Sequence, residues 1–448
     1  MLGTVTAEGR ALRESIPILH VRDRRSLARL SHSLHGSVRS VRTALRATSR
    51  RVLDPVPTDR TAVLGILLLV VLVLFLRRPD GFLNPQLWAE DGTVFLADSQ
   101  LYGVSALLRP YLGYHLLVPR LVAGASGFGG LLWTPALYNL AALAGVVFVA
   151  RYLLSSRIQA PSKGLMALAL VLCPHRGEIF MNLTNLQWML SLALLLLVIS
   201  EEPTGRCQRA FDVAVLVFAG LTGPFAFLFL PLFLARLALR RTSWSAWLAT
   251  LAGLLAVVQM IGIETARNEG SFNLADPTWL AFVGRSIAGL LLIGDTSLAA
   301  KVSDVSLVAI SAAVYLLFAL HCVVQRSANV ALLLGGGLAI FASAAYAYRG
   351  NPQELVDAIG VRYWYVPIVT LLWAASIGLR SRRPIAAASA GIWLLSLAST
   401  LSMFAAPRYT DFNWAASVAC ARQRGHCVVP INPPGWNLSL WSDRDVRR

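Results

Sequence analysis

Residues 61–92 read TAVLGILLLVVLVLFLRRPDGFLNPQLWAEDG, and this stretch decides the class of fold. Its first part, Thr61–Leu76, is an uninterrupted apolar block that approaches the ~20 residues a helix needs to cross a bilayer core. Two arginines end the block, and a polar stretch follows. A chain in lipid must satisfy its backbone N–H and C=O groups internally, so the block is expected to form a transmembrane helix.

Similar apolar blocks recur along the whole chain of 448 residues. The composition is 56% hydrophobic and only 14% charged, with a mean hydropathy of +0.61, whereas soluble domains carry about a quarter charged residues. Alternating strands of the kind a β-barrel needs are not found. The sequence therefore predicts an all-α, polytopic transmembrane helical bundle of about eleven spans, at 61–76, 131–154, 165–172, 186–199, 211–221, 225–239, 244–263, 302–324, 332–348, 363–379 and 385–404.

The net charge is +17, and almost all of the positive charge is arginine. With the N-terminus inside, arginine clusters in the loops that would face the cytoplasm, as the positive-inside rule expects. A strongly basic chain can also indicate nucleic-acid binding, but the membrane explains the basic charge better here. The long loops, which include an amphiphilic first loop after the first span, then lie outside the membrane, at 77–116, 264–300 and 349–362.

Three regions are predicted along the chain. Residues 1–60 carry twelve arginines against five acidic residues and form a basic cytoplasmic arm, partly disordered, that binds anionic lipids. Residues 61–404 form the transmembrane domain, and residues 405–448 form an extracytoplasmic tail. Cys420 and Cys427 in that tail could form a disulfide in an oxidising compartment, or a Cys/His metal site with His426, although two further ligands are missing.

Several predicted spans are short or interrupted, with Pro174 and Pro224 near their outer boundary. Non-helical backbone at membrane depth is tolerated only against protein or beside a wet cavity. The interruptions therefore indicate a cavity that opens outward. No internal repeat of the kind found in many transporters is visible.

Two adjacent carboxylates, Glu90 and Asp91, lie in the first outer loop between Trp88 and Gly92. Partial desolvation at the edge of a membrane cavity could raise the pKa of one carboxyl and make it a usable base. The alternative is an acidic pair at a helix N-terminus, where the helix dipole favours negative charge.

An amphiphilic outer loop with such an acidic pair, followed by many spans, resembles the GT-C superfamily of integral membrane glycosyltransferases over residues 61–130. The resemblance implies transfer of a sugar from a polyprenyl-phosphate donor to an extracytoplasmic glycan or lipid acceptor. It gives the role of general base to Asp91, with Glu90 as the alternate. It further implies inversion at the anomeric carbon.

A lipid phosphate leaves as an anion, so positive charge is needed near the acidic pair, and arginine binds phosphate oxygens bidentately. The candidates are Arg109, His115, Arg120, Arg176, Arg349 and Arg362. Arg362 could instead snorkel to lipid headgroups, and His115 could be a packing residue.

Sugar-binding candidates follow one another in the segment 178–188. Amides and an indole at a cavity mouth can hydrogen-bond and stack on a sugar, although amides more often join membrane helices to each other. The residues are Glu178, Asn182, Asn185, Gln187 and Trp188. Glu264, Glu269 and Asp276 could assist the acceptor or bind a divalent cation, but no spacing requires a metal.

Three other classes of function stay open. A lipid-linked glycan transporter or flippase would need charges deep inside several spans, whereas the charges here cluster at span ends. A glycan ligase or polymerase would depend on outer-loop Arg349, Arg362 or His175 and would tolerate loss of the acidic pair. A membrane scaffold would depend on residues 1–60 alone.

Overall fold

The computed structural model describes residues 59–261, 272–273, 275–294, 301–356 and 362–442. The predicted arm up to residue 58, together with Glu264 and Glu269, lies outside the described residues. The described elements are the helices α1 (Arg60–Arg77), α2 (Asp80–Leu83), α3 (Ala97–Tyr102), α4 (Leu117–Gly129), α5 (Thr134–Leu153), α6 (Lys163–Leu172), α7 (Leu186–Ile199), α8 (Arg206–Gly220), α9 (Phe225–Arg240), α10 (Ser243–Ile261), α11 (Thr278–Gly284), α12 (Asp304–Gln325), α13 (Ala328–Ala347), α14 (Gln353–Val356), α15 (Tyr365–Gly378), α16 (Arg383–Ser402) and α17 (Trp414–Arg424), and the strands β1 (His426–Ile431) and β2 (Trp436–Trp441).

Within the described residues, six helices are long and apolar enough to cross a bilayer. They are α1, α5 with the turn before it, α10, α12, α13 and α16. This confirms the prediction of a helical membrane protein. The other five predicted spans correspond to α6, α7, α8, α9 and α15, which have only 10–16 residues each, so eleven spans are not confirmed.

Helix α7 forms the centre of the bundle. Its sequence LQWMLSLALLLLVI is apolar on every face, and all 14 residues are buried. A helix that is hydrophobic all round is normally a buried one. It packs against α5, α8, α9, α13 and α15, so protein rather than lipid surrounds it, and its length need not match the bilayer.

Buried arginines close the carbonyl ends of the short central helices. The Arg77 guanidinium donates to the carbonyls of Val171 and Cys173, where α6 ends. At the end of α7, Arg236 donates to the carbonyls of Leu197, Val198 and Ser200. The last four carbonyls of a helix have no partner within it, so these arginines supply donors that water cannot supply inside the bundle.

The C-terminal segment corrects the all-α prediction, because it ends in a small antiparallel sheet. Strands β1 and β2 pair from His426–Trp441 to Ile431–Trp436. Cys420, at the end of α17, forms a disulfide with Cys427 in β1. The segment packs on the turn that carries the acidic pair, with Trp88 bridged to Asn432.

Candidate functional site

A cavity of about 580 Å³ lies where six segments meet: the first loop, the start of α7, the start of α9, the end of α13, α14 and the residues just before α15. Most of its wall is aromatic or apolar. The charged side chains that line it are Glu90, Arg349, Glu354 and Arg362. Ligand pockets typically enclose 300–1,000 Å³ and combine an apolar lining with a few polar groups, so the cavity has the size and composition of a binding site.

The two residues of the acidic pair lie on different sides of the cavity wall, because the backbone turns sharply just before them. Ala89 has a φ of 35°, and a π-helical segment, Asp91–Leu96, begins two residues later. Glu90 lines the cavity, whereas Asp91 is fully buried. The two neighbours therefore occupy different environments.

Asp91 binds the segment that leads into α7. One carboxylate oxygen accepts from the Thr184 amide at 2.7 Å and from the Thr184 hydroxyl at 2.6 Å. The other oxygen accepts from the amides of Leu183 at 3.3 Å and Trp88 at 3.4 Å. Burial raises the pKa of Asp91 to about 7, against the opposing effect of these donors. The carboxyl thus joins two segments and has no face on the cavity.

Glu90 is the carboxylate of the pair that a ligand can reach. Its Oε1 lies 3.4 Å from the Tyr111 hydroxyl, and its Oε2 is buried without a hydrogen-bond partner in the described part of the chain. The resemblance gave Asp91 the first place, whereas in the structure Glu90 is the one of the two residues that lines the cavity. A buried carboxylate oxygen without a partner is an exception among buried polar groups, and a proton or a ligand hydroxyl that reached it would satisfy it.

Arg362 lines the cavity and forms an ion pair with Glu178, which is not part of the lining, with 3.3 Å between Nη1 and Oε1. Burial lowers the pKa of Arg362, but the charges of Tyr363, Glu178 and Glu90 outweigh it, and the net shift is upward. Burial raises the pKa of Glu178, although the arginine opposes that rise. Arg362 therefore stays cationic beside the cavity.

The start of α7 supplies a polar wall. Asn185, Gln187 and Trp188 line the cavity, as does Thr184. Asn185 Oδ1 and the Trp188 indole Nε1 are buried and have no hydrogen-bond partner among the described residues. Together with Glu90 Oε2, they leave two acceptors and one donor around the same space, a pattern that fits a ligand bearing hydroxyl groups.

Four of the predicted phosphate-binding residues do not line the cavity. Arg120 is buried and binds Asp98 at 2.9 Å. Arg109 stacks on Tyr102, and Arg176 is exposed elsewhere. The backbone amide of His115 donates to the side-chain oxygen of Gln259. Burial and the charge of Arg120 lower the pKa of the His115 imidazole.

Asn182 also lies outside the cavity lining. Its side-chain amide donates to the Glu178 carbonyl at 2.6 Å, and its Oδ1 accepts from the Asn185 amide at 2.9 Å. These contacts fix the loop before α7. Asp276 is half-buried just before α11, where its side chain accepts from the Thr278 amide at 2.9 Å. The described residues contain no group of three His, Cys, Asp or Glu side chains arranged to hold a metal.

The sequence reasoning missed the tyrosines of the cavity wall. Tyr111 and Tyr114 come from the first loop, and Tyr348 and Tyr363 face each other with their hydroxyls 3.4 Å apart. The spacing Tyr-Leu-Gly-Tyr at 111–114 was the available signal, because Gly in a loop often marks a tight turn that brings flanking side chains together.

The chain matches no family model, no curated protein and no solved structure. The residues of the cavity are therefore what indicates a function for this chain.

Proposed function

We propose that the chain is an integral membrane glycosyltransferase that moves a sugar from a polyprenyl-phosphate donor to a glycan or lipid acceptor outside the cytoplasmic membrane. In this proposal the N-terminus is cytoplasmic, and the cavity opens on the opposite side. The arginine-rich loops 201–209, 236–243 and 380–383 then lie inside, in agreement with the positive-inside rule.

The observation that carries the proposal is the set of unpaired polar atoms around Glu90. Glu90 Oε2, Asn185 Oδ1 and Trp188 Nε1 each belong to a buried residue that lines the cavity. Leaving a buried polar atom unpaired costs about 1–3 kcal/mol. A polyhydroxylated ligand would supply both donors and an acceptor, and the Trp188 indole would add an apolar face.

The reaction needs one base and one anion site. The acceptor hydroxyl attacks the anomeric carbon, the bond from that carbon to the phosphate oxygen breaks, and the hydroxyl proton goes to Glu90. The lipid phosphate leaves with the bonding electron pair as an anion. Arg362 and Arg349 would bind its oxygens, because guanidinium groups make charge-assisted hydrogen bonds to phosphate. A single displacement of this kind inverts the anomeric carbon.

The apolar rim of the cavity fits the lipid part of such a donor. Phe227 and Leu228 of α9 and Tyr346 of α13 line the cavity, and Phe227 and Tyr346 are also exposed on the outside of the bundle. A polyprenyl chain could therefore lie against this rim while its phosphate reaches Arg349.

The test compares Glu90→Gln with Asp91→Asn in membranes that contain equal amounts of folded protein. The measurement is transfer of labelled sugar from polyprenyl-phosphate-sugar pools to envelope acceptors. We expect Glu90→Gln to lose about 10²–10⁴-fold in rate, the usual contribution of a general base. Asp91→Asn should lose stability first, because one of its oxygens becomes a donor that faces the amides of Leu183 and Trp88.

One alternative has support of its own, since Arg349 and Arg362 both line the cavity. A glycan ligase or polymerase that relies on these arginines would lose activity in Arg362→Ala and keep it in Glu90→Gln. If the wild-type protein transfers no sugar from any donor, a lipid-linked glycan flippase becomes the leading account, and the same membranes would be assayed for translocation.

A further inference from the structure

The turn that aims Glu90 into the cavity is strained. Ala89, immediately before Glu90, has a φ of 35°, in the left-handed region that residues with a Cβ rarely adopt. Such a conformation is costly and persists only where surrounding structure holds it. Asp91 holds the turn from one side, and the support on the other side comes from the far end of the chain.

Asn432, just after β1, holds this turn through its backbone. The Ala89 amide donates to the Asn432 carbonyl, and the Asn432 amide donates to the Leu87 carbonyl at 3.2 Å. The two bonds flank Trp88, and Glu90 follows directly. They fix the backbone on the N-terminal side of the carboxylate.

The Asn432 side chain is itself fixed. Its Oδ1 accepts from the Thr410 amide at 2.9 Å, and its Nδ2 donates to the Thr410 carbonyl at 2.9 Å. The residue is 2% exposed. Because the Asn432 side chain binds both backbone groups of Thr410, the position of the Asn432 backbone is fixed as well. Asn432 therefore joins the stretch around Thr410 to the end of β1, at the point where the C-terminal segment contacts the turn.

Two further contacts complete the support. The ring of Trp88 stacks on Tyr409 with 5.1 Å between centroids. A Cβ on Gly92 would lie 2.7 Å from Ile431 Cδ1, so a larger residue there would force the end of the Ile431 side chain to move. The disulfide from Cys420 ties β1 back to α17.

We propose that the C-terminal segment 405–442 is a positioning element for Glu90, and that Asn432 is its central positioning residue. The segment has no side chain in the cavity lining. It acts by holding Leu87 and Ala89 in the one conformation that separates Glu90 from Asp91. The kinetic consequence rests on the proposed transferase, whereas the geometric claim does not.

The test uses full-length protein in lipid nanodiscs. Asn432→Ala removes both bonds to Thr410, and the matched control is Asn437→Ala, at an exposed residue of β2 in the same sheet. The first measurement is hydrogen exchange of the amides at 87–92. We expect at least about tenfold faster exchange in Asn432→Ala and no change in the control.

The second measurement is transfer activity. We expect Asn432→Ala to lower kcat by about tenfold or more, with KM within about twofold, because ligand contacts stay while the base is misplaced. Unchanged exchange at 87–92, or equal loss in the Asn437 control, would overturn the proposal.

If Asn432→Ala does not fold, Cys420→Ser is the second variant. It leaves every contact to the turn in place but frees β1 from α17, and we again expect faster exchange at 87–92, with unchanged exchange counting against the proposal. If wild type shows no transfer but Asn432→Ala still speeds exchange, the positioning role stands and the proposed transferase fails.

Discussion

The two ends of helix α7 are both charged, but in different ways. At its C-terminal end, Asp212 accepts from both terminal nitrogens of Arg157 and from the Trp244 indole at 3.1 Å, and Arg236 binds Glu202 at 2.8 Å. At its N-terminal end, about 20 Å away by helix rise, Glu90 keeps one oxygen without a partner in the described chain.

The charged groups at the C-terminal end of α7 are paired with each other, whereas Glu90 at the N-terminal end has an oxygen that no protein group among the described residues binds. A buried charge that loses its partner is costly, so a fully paired cluster stabilises one arrangement of the surrounding helices. Unpaired buried polar atoms at a cavity cost stability instead, and such exceptions are typical of functional sites. The helix thus connects an end that holds the bundle together to an end that can bind a ligand.

The largest expected effect comes from breaking the paired end. Asp212→Asn should lower the free energy of unfolding by about 3–5 kcal/mol, because Arg157 is left buried without its counter-charge. The matched change at the cavity is Glu178→Gln, which should cost less than about 1 kcal/mol and lower the donor KM by freeing Arg362. Unfolding in detergent measures the first effect, and equal losses in the two variants would contradict the comparison.

A smaller effect is expected from pH. The pKa of Asp91 is about 7 in the folded protein and 3.8 as the ordinary value, so between these values the folded state binds more protons. Stability conferred by this group is complete below pH 3.8 and is lost as pH rises to about 7, up to about 4 kcal/mol. Wild type should therefore lose stability relative to Asp91→Asn between pH 4.5 and 7.5, and a constant difference would refute the prediction.

The smallest expected effect comes from replacing the indoles of Trp188 and Trp244, one at each end of α7. Trp188→Phe keeps the ring contacts with Phe225 and Tyr363 but removes an unpaired donor, so stability should hold while the acceptor KM rises about tenfold. Trp244→Phe removes a donor that does have a partner, Asp212, and should cost about 1 kcal/mol with an unchanged KM. A KM effect in both variants would mean that the two ends are not independent.

The class of fold could be predicted from the sequence, but the number of spans could not. Apolar blocks such as 61–76 and 186–199 look alike in composition, yet α1 exposes most of its surface whereas α7 is buried throughout. Which helices lipid contacts depends on tertiary packing. The β-hairpin did leave a signal that was missed, because Asn-Pro-Pro-Gly at 432–435 separates two short alternating runs.

Six of the predicted site residues, Glu90, Asn185, Gln187, Trp188, Arg349 and Arg362, line one cavity, and their roles in binding or catalysis stay predictions. The order within the acidic pair could not be predicted, because adjacent side chains diverge according to the backbone, and the turn at Ala89 depends on Asn432, more than 300 residues away. Arg120 could not be told from a ligand-binding arginine until its partner Asp98 was known.

The burial of α7 also has a consequence for the order of assembly. A chain is made from its N-terminus, so this most apolar segment is synthesised before α8, α9, α13 and α15, which later cover it. At about 21 Å it is shorter than the ~30 Å hydrocarbon layer. Early in biogenesis the helix must therefore sit in lipid that it does not span, and it becomes protein-enclosed only after some 180 more residues have been synthesised. The arginine at position 236, made some forty residues later, then adds its guanidinium to the carbonyls of Leu197 and Val198 at the end of α7.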